Sequence, residues 1–240
     1  MVGGVEPFYP LVQSAVSFTL EHRLINGGRQ LQDYYAARAH EYDKIYLKPE
    51  RQVNLRQLET WLSDVFTHRS VLEIACGTGY WTQFYAPVAA RVVAIDSAVE
   101  TLRIAEGRLH GTNVRLLEGD AYQLPVLDGT FDGAFAGFWW SHIPKNRVAE
   151  FLSGLHAVLQ PGTKIVFLDN RYVPESSTPI SERDTEGNTY QLRLLEDGST
   201  HRVLKNFPSR DELLGAVASH AKACDYREWD YFWALAYTLR

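Results

Sequence analysis

A short stretch near the end of the first third of the chain constrains the fold most strongly. Residues 71–74, Val-Leu-Glu-Ile, are typical of a buried strand, and Ala75, Gly77 and Gly79 follow at alternate positions. Small residues there leave backbone N–H groups open to close approach by a ligand, and a helix start adds free N–H groups of its own. The pattern predicts a strand, a turn and a helix that cradle a nucleoside, although glycines at a strand end can also serve the turn alone.

Acidic residues after later predicted strands support a nucleoside site. Residues 91–95 predict a second buried strand that ends at Asp96, followed by Ser97, and residues 113–118 predict a third that leads to Asp120 and Ala121. In a doubly wound sheet, a carboxylate at the end of the second strand can accept the ribose hydroxyls. Asp96 could instead cap the following helix. Further strands are predicted over 130–136 and 163–168, with a helix over 148–159 between them.

This order of motifs resembles class I S-adenosylmethionine-dependent methyltransferases, in which an acidic residue precedes small-x-Gly-x-Gly. The resemblance implies an α/β fold with a Rossmann-like seven-stranded sheet and helices on both faces. It also implies S-adenosyl-L-methionine as cofactor and S-adenosyl-L-homocysteine as product. The implied cofactor-binding residues are Glu73, Ala75, Cys76, Gly77, Gly79, Trp81, Thr82, Asp96, Ser97, Asp120, Ala121 and Phe138. An NAD-binding fingerprint would place a small residue where Thr82 stands, which disfavours a dehydrogenase.

Composition limits the class of protein. The chain has 240 residues, 45% of them hydrophobic, and a net charge of −5 from 24 basic and 29 acidic residues. We expect one domain over 1–240, divided into an extension and lid (1–66), a cofactor core (67–170), a substrate loop and hairpin (171–208) and a C-terminal helix with strands (209–240). The charge argues against nucleic acid as a partner, and no apolar run reaches the roughly 18 residues of a membrane span. Two distant cysteines predict neither a disulfide nor a metal site, which favours a reducing compartment, so we expect a cytoplasmic protein. We expect it to be a monomer or a homodimer.

An alanine-rich segment over residues 32–43 precedes the glycine turn. Its helical spacing places Tyr35, Arg38 and Tyr42 on one face. In small-molecule methyltransferases a helix in this place covers the methionine end of the cofactor, so the resemblance implies a lid whose three residues contact cofactor or substrate. A helix that simply packs on the sheet is the alternative. Residues 1–30 could extend the lid or form a dimer contact.

A hairpin is predicted in the second half of the chain. Alternating runs over 189–195 and 200–207 flank Asp197-Gly198, which is a strong hairpin signal. Arg193 lies on one side of the first strand and Lys205 on one side of the second, so the two cations can converge, depending on register. Two cations beside a methyl-donor site suggest an anionic substrate. A solvated hairpin whose cations face water is the alternative.

The lid, the Cys-Gly-Thr-Gly-Tyr-Trp-Thr turn, the Ser-His-Ile-Pro segment and the hairpin resemble phosphonate O-methyltransferases of antibiotic biosynthesis, from about residue 31 onward. The resemblance implies methylation of a small acceptor in natural-product metabolism. The candidate catalytic residues are Tyr35 and His142, and the candidate substrate-binding residues are Tyr35, Arg38, Tyr42, Trp139, His142, Arg171, Arg193 and Lys205. A carboxylate or phosphonate needs no base, whereas an amine or phenol would need one, with His142 as the candidate. A non-catalytic nucleoside-binding protein of the same fold remains an alternative.

Overall fold

The structure is a computed structural model that describes residues 34, 35 and 37–240, without the side chain of His40. Our expectations for residues 1–30 and for residues 32, 33 and 36 of the lid segment lie outside the described residues. Residues 34, 35, 37 and 38 are helical, and a 3₁₀ helix follows over Ala39–Tyr46. The lid segment therefore tightens from α-helical to 3₁₀ geometry before the glycine turn.

Ten strands are described, and they form two sheets. They are β1 (Ser70–Ile74), β2 (Arg91–Asp96), β3 (Val114–Glu118), β4 (Gly133–Gly137), β5 (Lys164–Asn170), β6 (Glu182–Arg183), β7 (Thr189–Leu194), β8 (Thr200–Leu204), β9 (Ala221–Glu228) and β10 (Phe232–Leu239). The main sheet has seven strands in the order β3-β2-β1-β4-β5-β10-β9. Neighbours from β3 to β5 are parallel, and β10 is antiparallel to both β5 and β9.

Helices cover both faces of this sheet. They are α1 (Gln52–Phe66), α2 (Thr82–Tyr85), α3 (Val99–Arg108), α4 (Val148–Ala157) and α5 (Arg210–Val217). Side chains alternate along β1, so Val71 packs with α1 and α2 on one face while Leu72 and Ile74 pack with α4 and α5 on the other. The predicted Rossmann-like seven-stranded fold is confirmed.

The second sheet is an insertion between β5 and α5. The predicted hairpin is present as β7 and β8, with Gln191 opposite Val203 and Arg193 opposite His201. β6 adds a short third strand that pairs with β7 within a segment expected to be a long loop. The Asp184 carboxylate shapes that segment because it accepts hydrogen bonds from Asn188 and from the Tyr190 hydroxyl. This small sheet places one face over the carboxyl ends of the main strands.

Two other boundaries differ slightly from the sequence predictions. α4 ends at Ala157, two residues before the predicted end, and β5 runs on to Asn170. α5 starts as predicted, because Ser209 and Glu212 form a reciprocal capping box. Within the residues that the structure describes, no helix combines the length and apolar character needed to cross a membrane.

Candidate active site

The glycine turn leaves β1 in a left-handed conformation. Ala75, Gly77 and Gly79 have φ values of 55°, 57° and 72°. The positive φ favours glycine at position 79, and a Cβ there would lie 2.9 Å from Leu109 Cδ1, so a larger residue would also displace the Leu109 side chain. Ala75 adopts the same backbone region with a side chain, at a cost of roughly 1 kcal/mol. The N–H groups of Cys76, Gly77 and Gly79 are not open as the sequence pattern predicted, because they donate to the Ile95 carbonyl, the Asp96 carboxylate and the Cys76 carbonyl.

Asp96 lies beside this turn at the end of β2. Its carboxylate accepts from the backbone N–H groups of Gly77 at 2.8 Å and Ala98 at 2.9 Å. Burial raises the pKa of Asp96, while those N–H donors oppose the rise. The N-cap of the next helix is Ala98, so Asp96 does not cap it as residue N-cap, although its carboxylate accepts from the Ala98 N–H. The ribose role stays a prediction.

Glu73 and Thr82 meet each other beneath the turn. The Glu73 carboxylate is 2% exposed and accepts from the Thr82 hydroxyl at 2.7 Å and from the Tyr85 hydroxyl at 2.5 Å. Burial raises the pKa of Glu73 to about 7. These contacts tie the start of α2 to β1, so both residues support the shape of the turn from below.

The other residues predicted to bind the cofactor surround the same edge of the sheet. Trp81, Cys76 and Ala121 are buried, Ser97 and Asp120 are exposed, and Asp120 accepts from the backbone N–H of Tyr122 at 2.9 Å. Phe138 follows β4 with φ of 58°, and its ring lies 5.6 Å from that of Trp81. Phe138 also lines a neighbouring pocket, so it stands between the turn and that pocket.

The pocket is formed where the lid, the loop after β4 and the small sheet meet. It brings together six of the eight predicted substrate-binding residues: Tyr35, Arg38, Tyr42, His142, Arg193 and Lys205. The Tyr35 and Tyr42 rings are 5.6 Å apart, and the Arg38 guanidinium carbon lies 5.3 Å from the centre of the Tyr42 ring. The ideal Cβ of Gly77 would lie 3.8 Å from the Tyr42 ring, so the pocket adjoins the glycine turn.

Tyr35 and His142 are hydrogen-bonded across 107 positions of the chain. The Tyr35 hydroxyl lies 2.7 Å from His142 Nε2, and His142 Nδ1 lies 2.7 Å from the Leu204 carbonyl. A carbonyl can only accept, so Nδ1 carries the proton and Nε2 of the neutral ring accepts from Tyr35. Burial, followed by the positive charge of Lys205, lowers the pKa of His142 well below its usual value. The ring is therefore neutral and joins the lid to the small sheet.

Lys205 is held by an ion pair. Its Nζ donates to Asp169 Oδ1 at 3.0 Å and to Ser141 Oγ at 2.6 Å, and both charged side chains are buried. Asp169 also accepts from the backbone N–H groups of Ser141 at 2.9 Å and Asn170 at 2.7 Å. Burial would raise the pKa of Asp169, but Lys205 and the other nearby donors hold it below its usual value. The pair fastens the end of β8 to the main sheet.

Arg38 and Arg193 have no such partner. Arg38 donates to the Tyr34 hydroxyl at 2.8 Å, and Arg193 Nη2 donates to Gln191 Oε1 at 2.5 Å. Within the part of the chain that the structure describes, neither guanidinium forms an ion pair, and the buried Nε of Arg193 has no hydrogen-bond partner. The pocket thus contains two arginines whose charges no described carboxylate neutralises.

Comparison with known proteins identifies the class. Residues 71–162 match a family model described as a methyltransferase domain. A solved structure described as "DhpI-SAH complex structure" superposes with a TM-score of 0.70 at 27% identity, covering 87% of this chain and 95% of that one. The chain is a class I S-adenosylmethionine-dependent methyltransferase. A "DhpI-SAM-HEP complex" is similar at 28% identity, with a TM-score of 0.70 and 87% and 96% coverage.

Curated relatives of this methyltransferase support the same class. A demethylmenaquinone methyltransferase of Geobacillus sp. (strain WCH70) is 28% identical over 200 residues, which are 72% of this chain and 83% of the relative. One from Staphylococcus carnosus (strain TM300) is 26% identical, covering 72% and 76%. The enzyme uses S-adenosylmethionine. The absence of a side chain at Gly77 and the Asp96 carboxylate beside it fit that cofactor.

Two predicted substrate-binding residues of the methyltransferase are not brought to the pocket. Arg171 donates to the carbonyl of Trp229 at 2.7 Å and pairs with Glu228 at 3.0 Å, because β10 and β9 lie beside the end of β5. Trp139 packs against Tyr122 and Phe151 on the side of α4, with ring centres 6.1 and 6.2 Å away. We therefore remove Arg171 and Trp139 from the candidate acceptor site.

The lid is attached at both ends of the site. Asp43 accepts from Thr78 Oγ1 at 2.7 Å, next to Gly77, and forms an ion pair with Arg108. On the other side, Glu41 accepts from the backbone N–H of Glu196 at 3.1 Å and Lys44 pairs with the Glu196 carboxylate. These contacts give no local sequence signal, because their partners lie 35 to 155 positions apart. The segment over Ala39–Tyr46 therefore bridges the glycine turn and the hairpin turn.

Other pocket residues were also missed. Lys48, Arg51, Asn170 and Gln191 line the pocket, and Asp169 holds Lys205 from beneath. An available signal for Asp169 was its position at the end of a buried strand, which is also the position that singled out Asp96. Lys48, Arg51 and Gln191 give no comparable local signal.

Proposed function

We propose that this methyltransferase methylates an ionised oxygen of a small anionic acceptor, a carboxylate or a phosphonate. The observation that supports this most directly is the presence of Arg38 and Arg193 in the pocket beside Tyr42 and the glycine turn, without a carboxylate partner among the described residues. Guanidinium groups pair with carboxylate and phosphonate oxygens through two parallel hydrogen bonds. An anionic acceptor would supply the charge that the pocket lacks.

Repulsion among the pocket cations supports the same proposal. Burial lowers the pKa of Lys48, Arg51 and Lys205, and the positive charge of Arg193 lowers each of them further. Asp169 compensates Lys205, while the charge of the Glu50 carboxylate, which accepts from the Ser176 hydroxyl, opposes the lowering of the pKa of Lys48 and Arg51. Like charges brought together in a partly buried site favour binding of an opposite charge. A neutral acceptor would leave this repulsion in place.

Several of the predicted cofactor residues have proposed roles. Asp96 would accept the ribose hydroxyls, Asp120 would accept from the adenine amine, and Gly77, which has no side chain, would allow the ligand to approach the turn closely. Glu73 and Thr82 would act from beneath by fixing the turn. When bound, S-adenosylmethionine supplies an electrophilic methyl group. The lid and Phe138 would hold the acceptor oxygen in line and exclude water.

No general base is needed in this proposal. A carboxylate or phosphonate is already ionised at neutral pH, and burial together with Lys205 disfavours protonation of His142. The Tyr35 hydroxyl donates a hydrogen bond to His142 Nε2, so a lone pair on its oxygen remains available to the pocket. Tyr35 would thereby position the reacting groups, with its ring fixed by His142.

A quinone-type acceptor is the second candidate. The observation that favours it is the similarity to demethylmenaquinone methyltransferases at 26% and 28% identity. Methylation of a quinol ring would require a base, because the phenolic hydroxyl must lose its proton. The third candidate, a protein that binds the cofactor without turnover, predicts binding but no methylated product with any acceptor.

A mass-spectrometric screen tests these candidates. The protein is incubated with S-adenosylmethionine and, separately, with ethylphosphonate, simple carboxylic acids, a demethylmenaquinone analogue, a phenol and an amine. A gain of one methyl group on the acids supports the proposal, whereas methylation of the quinone analogue alone contradicts it.

A matched pair of variants then tests the role of Arg193. Arg193→Gln should raise KM for an acidic acceptor about tenfold to a hundredfold, since hydrogen bonds to charged groups contribute about 1.5–3 kcal/mol. Arg202→Gln is the control, because Arg202 lies on β8 with its guanidinium paired to Glu182 outside the pocket. Equal effects of the two variants on KM would argue against an anion site at Arg193.

A further inference from the structure

Gln191 connects the acceptor pocket to a neighbouring loop. Its side chain is on the same face of β7 as Arg193, two positions away, and the residue is 1% exposed. Gln191 Nε2 donates to the Thr178 carbonyl at 2.5 Å, while Gln191 Oε1 accepts from Arg193 Nη2 at 2.5 Å. The two bonds use opposite ends of the carboxamide, so only one orientation of the amide satisfies both.

The loop that receives this hydrogen bond is itself anchored. Arg51 donates to the Ser176 carbonyl and hydroxyl, both at distances near 3.0 Å, and Lys48 donates to the same carbonyl. Arg51 in turn stacks over Tyr231 and Phe232. Contacts therefore run from the start of α1 through residues 176–178 to Gln191, and from Gln191 to the guanidinium of Arg193.

We propose that Gln191 is a positioning residue of the acceptor site, which fixes the guanidinium of Arg193 in the orientation that binds the anionic group. This inference rests on the proposed function. Among the described residues, Gln191 is the side chain to which the Arg193 guanidinium donates, and Arg193 Nε has no partner. The orientation of the planar cation thus depends on Gln191.

A carboxamide suits this task for a chemical reason. A carboxylate at position 191 would pair with Arg193 and neutralise it, and it would face the Thr178 carbonyl with no proton to donate. A methionine would have a similar length but would leave both Arg193 Nη2 and the Thr178 carbonyl without a partner. Gln191 alone combines a neutral acceptor for Arg193 with a donor for the loop.

The test is a double-mutant cycle with ethylphosphonate as the probe. Calorimetry measures the affinity of ethylphosphonate for the protein with S-adenosylhomocysteine bound. The proteins compared are the wild type, Gln191→Met, Arg193→Gln and the double variant. We expect Gln191→Met to weaken ethylphosphonate about tenfold, with S-adenosylhomocysteine affinity unchanged. Once Arg193 is replaced, Gln191→Met should have no further effect, because the residue acts through that guanidinium. Gln191→Glu should weaken the probe more than Gln191→Met does.

Tyr190→Phe is the matched control. Tyr190 is the adjacent residue of β7, and its hydroxyl donates to Asp184 away from the pocket. The control should leave the affinity for ethylphosphonate unchanged. If Arg193→Gln weakens the probe but Gln191→Met does not, or if the two effects add, the positioning role is overturned while the anion site stands. If the wild type fails to bind the probe, or Arg193→Gln has no effect, the proposed anionic function itself is overturned.

Discussion

The buried Asp169–Lys205 pair gives a stability prediction whose magnitude differs for its two partners. Asp169→Asn removes the negative charge that offsets the buried Lys205 ammonium, and the new amide group faces the Ser141 N–H with a donor when its oxygen accepts from Lys205. This change should lower the free energy of unfolding by about 3–5 kcal/mol. Lys205→Met leaves a carboxylate that still accepts from the Ser141 and Asn170 N–H groups. Its loss should be smaller, about 1.5–3 kcal/mol.

The prediction is tested by urea denaturation, followed by both tryptophan fluorescence and circular dichroism to check that the transitions coincide. With an m-value of about 3 kcal/mol/M, Asp169→Asn should lower the midpoint by roughly 1–2 M. The double variant Asp169→Asn/Lys205→Met should lose much less than the sum of the single losses, because no unpaired charge remains.

The pH dependence provides a second check on Asp169→Asn. A buried unpaired lysine has a depressed pKa. Its charge therefore lowers the free energy of unfolding; this loss declines as pH rises above the folded pKa and is gone above the unfolded pKa of about 10.4. The difference from wild type should therefore be smaller at pH 9 than at pH 7. If Lys205→Met costs as much as Asp169→Asn, or if the double variant shows the full sum, our account of the pair is refuted.

Three further predictions concern the turn and the lid. His142 has a pKa held well below its usual value by burial and Lys205, so the unfolded chain takes up a proton first and stability falls with acidification. Between pH 7.5 and pH 5.5 the wild type should lose about 1.4 kcal/mol more of its free energy of unfolding than His142→Gln does. Urea midpoints measured at each pH test this difference. Ala75→Gly should raise the melting temperature, with a gain of about 0.5 kcal/mol from relief of the left-handed backbone; a lower melting temperature would argue against strain at φ 55°. Asp96→Ala should weaken S-adenosylmethionine binding about tenfold or more in calorimetry while circular dichroism stays unchanged, and an unchanged affinity would remove Asp96 from the ribose role.

The main sheet was predictable because its signals are local. Residues 71–79 and the strands ending at Asp96 and Glu118 combine apolar runs with small or acidic residues directly after them. β9 is harder to recognise, because its sequence Ala-Lys-Ala-Cys-Asp-Tyr-Arg-Glu belongs to an edge strand with mostly exposed or half-buried side chains. β6 has only two residues, too few for any periodicity.

The site was predictable in its residue types more than in its pairings. Arg193 and Lys205 were predicted to converge, and both line one pocket together with Arg38 of the lid segment. Whether a cation is free or neutralised depends on contacts between distant segments, such as Lys205 with Asp169, 36 positions away. Arg171 was misassigned for the same reason, since its partner Glu228 becomes a neighbour only when β9 and β10 join the sheet.

The lid segment over Ala39–Tyr46 has a consequence for how the two substrates bind. It is tied to Thr78 and Arg108 at the glycine turn and to Glu196 at the hairpin turn. We expect an acceptor that strengthens the contact at the hairpin to strengthen the one at the turn as well, because one short segment makes both, and thermodynamic linkage would make this effect reciprocal. We therefore expect the bound acceptor to raise the affinity for the methyl donor, and the bound donor to raise the affinity for the acceptor by the same factor. Each affinity then depends on both halves of the site.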